Sequence, residues 1–187
     1  AAKTKISDWV RQGNTLITIR QGTSWAIKQK LVKEALIEPK KDTTSHAAEY
    51  LPYTHAPEIL GKERVGGAIF ETEIDLTHPL GFGYTRSSLP VYRNSEIWLK
   101  PSENAYSTVV RYTDDPHIDG FITEKNLETY LKPSASLIVS KLGRGRVVMF
   151  ADNPNFRGSW YGTNRLFLNA IFLGKYIQVP AMPSGVH

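Results

Sequence analysis

Thr15-Leu16-Ile17-Thr18-Ile19-Arg20-Gln21-Gly22-Thr23-Ser24 is the stretch on which the fold turns. Its first five residues are threonine, isoleucine and leucine without a charge, the composition of a strand buried on both faces. The next five are turn formers and helix caps, and Thr23 or Ser24 can cap a helix over residues 25–36. Upstream, residues 6–12 set Ile6, Trp9 and Val10 on one side of a short helix that Gly13 and Asn14 end. Helix, strand, tight turn and helix form the βα unit of an α/β fold.

Downstream, residues 37–63 hold three prolines and little periodicity, which predicts a long excursion. Residues 68–76 read as a strand, followed by a turn-rich segment from Thr77 to Tyr84. Short strands are predicted around 91–92, 97–99 and 108–112, and a Thr123-capped helix runs through Leu131. Residues 136–142 and 146–151 are two strands around Gly143-Arg144-Gly145, the spacing of a hairpin. A last helix over 163–173 carries a broad apolar face, and Gly174 closes it. The expectation is an open, mostly parallel sheet with central strands at about 15–20 and 146–151, and an antiparallel excursion between about 68 and 112. The whole chain, 1–187, reads as a single domain.

The 187 residues are 41% hydrophobic and 22% charged, which excludes a disordered, collagen-like or coiled-coil chain. No apolar run approaches the ~20 residues of a membrane helix, so no membrane partner is expected. The start, Ala1-Ala2-Lys3-Thr4-Lys5, has no apolar stretch behind it and does not read as a signal peptide. Cysteine is absent, which removes disulfides, thiolate zinc sites and a cysteine nucleophile together. The net charge of +5 is uneven: residues 1–64 carry 11 basic and 7 acidic side chains, and residues 65–187 carry 12 and 11. The excess lies at Lys28, Lys30, Lys33, Lys40 and Lys41, read as a solvated helix face. A nucleic-acid partner would require a denser stripe with stacking aromatics and is not expected.

Five constellations could carry chemistry. In the turn after the first strand, Gln21, Gly22, Thr23 and Ser24 occupy the place of a nucleophile elbow, where a sharp turn lifts a hydroxyl beside a helix N-terminus. Asp152, Asn153 and Asn155 lie at the C-terminal end of a strand, the ligand edge of an open α/β sheet. Of these only Asp152 could act as a base, and the same residues make a good structural turn. His78, before a glycine-rich stretch, could reach a cleft or bond across a turn. Arg157 and Trp160, beside Tyr161, could stack a sugar or peptide or pack a helix entrance. His46 and Glu49 have the His-x-x-Glu spacing of a zinc site, with His117 or His187 as a third ligand, but their proline- and lysine-rich loop argues against a bound metal.

The run Gly145-Arg146-Val147-Val148-Met149-Phe150-Ala151-Asp152-Asn153-Pro154-Asn155-Phe156-Arg157-Gly158-Ser159-Trp160-Tyr161, continuing to Ala170, resembles the C-terminal end of large bacterial zinc carboxypeptidases of the carboxypeptidase A type. In those proteins a metallopeptidase domain comes first and a class I glutamine amidotransferase-like domain near the end. Residues 77–84, 89–94 and 9–26 are similar to that terminal domain as well. The resemblance implies a flavodoxin-like sheet that starts inside the family's domain and is incomplete on its N-terminal side. It implies zinc only in the absent peptidase domain and no cofactor in this chain. It also implies a periplasmic or secreted location, and as partner the peptidase domain or another chain completing the sheet. Two departures matter. The elbow holds no cysteine, and the late His-Pro-Glu run of an active amidotransferase reads Asn153-Pro154-Asn155. The expectation is a non-catalytic accessory domain. The alternatives are a serine-type hydrolase, which requires Ser24 and His78 within hydrogen-bond reach, and a peptide- or carbohydrate-binding module.

Overall fold

The computed structural model describes residues 2–38 and 50–182. It is an α/β protein built on one mixed sheet of six strands: β1 (Thr15–Ile19), β2 (Ala68–Ile74), β3 (Ser88–Arg93), β4 (Thr108–Gly120), β5 (Ala135–Leu142) and β6 (Gly145–Phe150). Their order across the sheet is β1-β6-β5-β4-β2-β3. Only β1 and β6 run parallel, with Thr15 opposite Arg146 and Ile19 opposite Phe150. Every other pairing is antiparallel. The expected mostly parallel sheet is therefore corrected to a mostly antiparallel one. β1 is also not central: it stands at the end of the order and pairs on one side only.

The reason lies in the connections. A parallel neighbour needs a crossover, usually a helix. Between β2 and β6 the strands instead follow one another through turns and one short helix, which favours antiparallel neighbours. The clearest case is β5–β6, where Leu142 pairs with Gly145 across a two-residue turn. Gly143 opens that turn at φ +63°, and Gly145 lets α1 approach: a Cβ there would lie 2.0 Å from the Val10 carbonyl oxygen.

Helices cover both faces. On one side α1 (Ala2–Arg11) and α2 (Gln21–Lys28) pack on Ile138, Leu142, Val147 and Met149, with Val10 and Ala26 as their buried contacts. On the other, α5 (Tyr161–Leu173) lays Leu166 and Ala170 against Leu137, Val139, Val148 and Phe150. Burying each such Leu, Ile, Val or Phe contributes about 1.5–3 kcal/mol. A short α3 (Ala56–Lys62) has no buried residue. α4 (Glu124–Asn126) is capped by the Thr123 hydroxyl, as expected, and continues as a wider turn through Leu131.

The helix expected over 25–36 ends at Lys28. Lys30 turns the chain with φ +56°, Leu31 and Val32 drop into the core, and Leu36 bridges Leu99. Two apolar residues in succession suited both helix and strand, and burial against Leu99 decided it. Likewise only Leu99 of the expected 97–99 strand pairs, as an isolated bridge. β4 exceeds its expected span because residues 112–120 pair with β2 alone. Pro116 lies in that one-sided stretch, where β4 has no second neighbour among the described strands and proline is tolerated.

Candidate functional site

The C-terminal ends of β1 and β6 form one edge, and the chain sharpens there into an elbow. Its apex is Arg20, with φ 51° and ψ −115°, a conformation disfavoured for any residue but glycine. Such strain costs about 1–3 kcal/mol and persists only when the surroundings enforce it. Here Phe150 enforces it: its carbonyl accepts the Arg20 N–H at 2.9 Å and the Thr23 hydroxyl at 2.8 Å. Arg20 thus stands where an elbow presents its nucleophile, and α2 begins at Gln21, four residues before the expected start.

The hydroxyls inside this first turn are not activated. Thr23 is fully buried and gives its proton to a main-chain carbonyl, with Thr18 Oγ1 3.0 Å away. Ser24 is also buried, and among the described residues no base is bonded to its hydroxyl. Gln21 is exposed and Gly22 half-buried, at the helix start where the first amides have no intrahelical acceptor. The Arg20 guanidinium donates to the Asn94 carbonyl at 2.8 Å, while its Nε is buried without a partner.

Asp152, two residues past β6, is 6% exposed and fully engaged. One oxygen accepts from Arg93 at 2.8 Å, and the other from Tyr112 at 2.5 Å and Ser136 at 2.9 Å. Arg93 is 0% exposed; it also bonds the Ile97 carbonyl at 2.7 Å and stacks over Trp98 at 4.4 Å. Burial alone would lower the Arg93 pKa, but Tyr112 and Asp152 together raise it, so the guanidinium stays charged. Burial holds the Tyr112 phenol above its ordinary value, against the pull of Arg93. A carboxylate held by three donors is a structural anchor rather than a free base.

Asn153 and Asn155 make the turn that follows: Asn153 Oδ1 accepts the Asn155 N–H at 3.0 Å, and Thr163 of α5 bonds the Pro154 carbonyl at 2.8 Å. The Asn155 Oδ1 is buried without a partner. Trp160 donates to the Pro90 carbonyl at 3.2 Å, and Phe156 stacks on Tyr92 with ring centres 3.8 Å apart. These rings pack on one another at the end of β3. Arg157, exposed and at φ +53°, lies over the Phe156 ring.

The elbow, Asp152 and the Asn153–Asn155 turn thus come together, with Arg157 and Trp160 beside them. His78 does not join Ser24: among the described residues no hydrogen bond links the two. It follows β2, four places from β1 in the sheet order, and its Nδ1 accepts the Leu80 N–H at 3.1 Å. Burial lowers the His78 pKa, with Asp75 opposing. Asn169 of α5 clamps the same loop through the Leu80 and Phe82 carbonyls. His46, Glu49 and His187 lie outside the described residues, as do Lys40 and Lys41. His117 is exposed, with Nε2 2.8 Å from the Gly120 carbonyl oxygen. Among the described residues no three His, Asp or Glu side chains are placed to hold a metal, and no helix is long and apolar enough to cross a membrane.

Sequence reading missed Arg20, Arg93, Tyr112 and Ser136. The signal for Arg93 was present: in β3 it falls in alternation with Leu89 and Val91, on the inward face. Arg20 carried none, since nothing in its neighbours requires a positive φ. No family model matches the chain, and neither a curated protein nor a solved structure does.

Proposed function

We propose that this chain is a non-catalytic accessory domain of a bacterial zinc carboxypeptidase, derived from a class I amidotransferase-like α/β unit. The observation that carries the non-catalytic part is Arg20 at the elbow apex. A guanidinium is neither nucleophile nor base near neutral pH, and among the described residues no base is bonded to its neighbours Thr23 and Ser24. The parent enzyme, its zinc and its periplasmic or secreted location rest on the sequence resemblance alone, which is most specific over residues 145–170.

Two features support a role in association. Among the described residues β1 pairs on one side only, so its outer edge can receive a strand from the peptidase domain or another chain. On α5, Tyr161, Leu168, Ile171 and Phe172 form an exposed apolar stripe opposite the buried Leu166 and Ala170. A helix apolar on both sides is normally covered on both. At the sheet edge, Arg20 Nε, Arg93 Nε and Asn155 Oδ1 are three of the four described buried side-chain atoms without a partner.

The test is an assay of the purified chain against glutamine, simple amides and esters, and C-terminal peptide substrates. No turnover is expected. Turnover abolished by Ser24→Ala would overturn the accessory reading in favour of a serine hydrolase.

A further inference from the structure

A separate cleft of about 1710 Å³ opens on the face of the sheet that α1 and α2 cover, alongside β5. It exceeds the roughly 300–1,000 Å³ of a small-molecule site. Five cations from distant parts of the chain line it: Arg11, Lys30, Lys33, Lys100 and Lys141. All five are exposed, and none belongs to an ion pair among the described residues. Against them stand two carboxylates, Glu34 and Glu103, and Glu34 is occupied by the Ser102 hydroxyl at 3.1 Å.

The walls are fixed by backbone bonds. Lys100 N donates to the Ala35 carbonyl at 2.9 Å and Ile37 N to the Trp98 carbonyl at 2.7 Å, which pairs residues 35–37 with 98–100 and fixes Lys100 beside the segment that follows Lys33. The far wall, residues 179–182, is tied by Asn104 to the Pro180 carbonyl at 2.8 Å and by Ala105 N to the Met182 sulfur at 3.3 Å. Leu31, Val32, Leu142 and Met182 supply apolar lining between the charges.

We propose that this cleft binds an acidic, extended polypeptide segment whose carboxylates meet the five cations and whose apolar side chains meet that lining. Charge complementarity selects an anion, and the mixed lining selects one that also carries apolar groups. No aromatic residue is among the described lining, so successive bases of a single-stranded nucleic acid would find no platform to stack on.

The experiment is fluorescence anisotropy of the full chain with a short labelled peptide alternating glutamate and leucine. A lysine–leucine peptide and a labelled single-stranded oligonucleotide serve as controls. The acidic peptide is expected to bind best, and its binding to weaken as salt is raised. The triple reversal Lys33→Glu, Lys100→Glu, Lys141→Glu is expected to weaken it about tenfold, since three attractive charge pairs become repulsive ones. The milder triple change to glutamine, with circular dichroism unchanged, gives an intermediate loss and guards against misfolding. Equal binding of the two peptides, no binding of the acidic one, unchanged affinity in both variants, or tighter binding of the oligonucleotide would each overturn the proposal.

Discussion

Arg93 and Arg20 reach the same sheet edge from opposite ends of the strand order and meet different fates. Arg93 rides an ordinary extended backbone into full burial, where Asp152, Tyr112, Ile97 and Trp98 surround it. Arg20 sits on a strained backbone, half-buried, with a single hydrogen bond from its guanidinium, to the Asn94 carbonyl. The first is held by its side chain and the second by its main chain. An ion pair inside the edge therefore fixes the scaffold, and the elbow above it is a position whose side chain the fold does not depend on.

The comparison breaks most readily at Arg93. Removing one partner of a buried pair leaves the other uncompensated, at a cost of about 3–5 kcal/mol. Arg93→Met is expected to lower stability by about that much in urea unfolding; a loss below about 1 kcal/mol would show the network to be incidental.

Alkaline titration sharpens the same point. Folding raises the pKa of Tyr112 above its ordinary value of 10.0 and pushes that of Tyr84 up to about 12, both chiefly through burial. The unfolded chain releases these protons near pH 10 while the folded chain keeps them. Their contribution is therefore whole below pH 10 and is lost as pH rises from about 10 toward 12. A fully buried phenol gives a slope of about 1.4 kcal/mol per pH unit in that window. Tyr112→Phe is expected to flatten the alkaline limb of a stability–pH curve by roughly that slope. An unchanged limb would place Tyr112 in contact with solvent.

The smallest effect belongs to Arg20. Arg20→Gly relieves a strain of about 1–3 kcal/mol and gives up one hydrogen bond and some chain entropy, so the net change is expected within about 1 kcal/mol. A loss as large as that of Arg93→Met would erase the distinction between the two arginines.

Local signals carried the sequence reading well. The β1 run, the 143–145 turn and the apolar face of α5 each depend on residues within a turn or two of one another, and each formed where it was expected. Strand order was not legible, because β2 could only be placed beside β4 by pairs such as Thr72 with Tyr112, forty positions apart. Lys30 shows a further limit: its left-handed turn is imposed by the burial of Leu31 and Val32, which lies outside its own neighbourhood. At the site, Asp152 was visible as a carboxylate on an edge. Its engagement was not, because Arg93, Tyr112 and Ser136 arrive on three different strands.

Among the described residues β1 has one strand partner, β6, and Thr15 must wait for Arg146 to pair. On the ribosome, at about 5–20 residues per second, that wait is on the order of ten seconds. Throughout it, an uncharged Thr-Leu-Ile-Thr-Ile segment remains without its strand neighbour. The antiparallel strands β2 to β5 can meet as they emerge, so the sheet assembles from its far side and closes on β1 last. A nascent chain of this kind is a natural client for a holding chaperone, and its yield should be sensitive to synthesis rate and temperature more than to the stability of the finished fold.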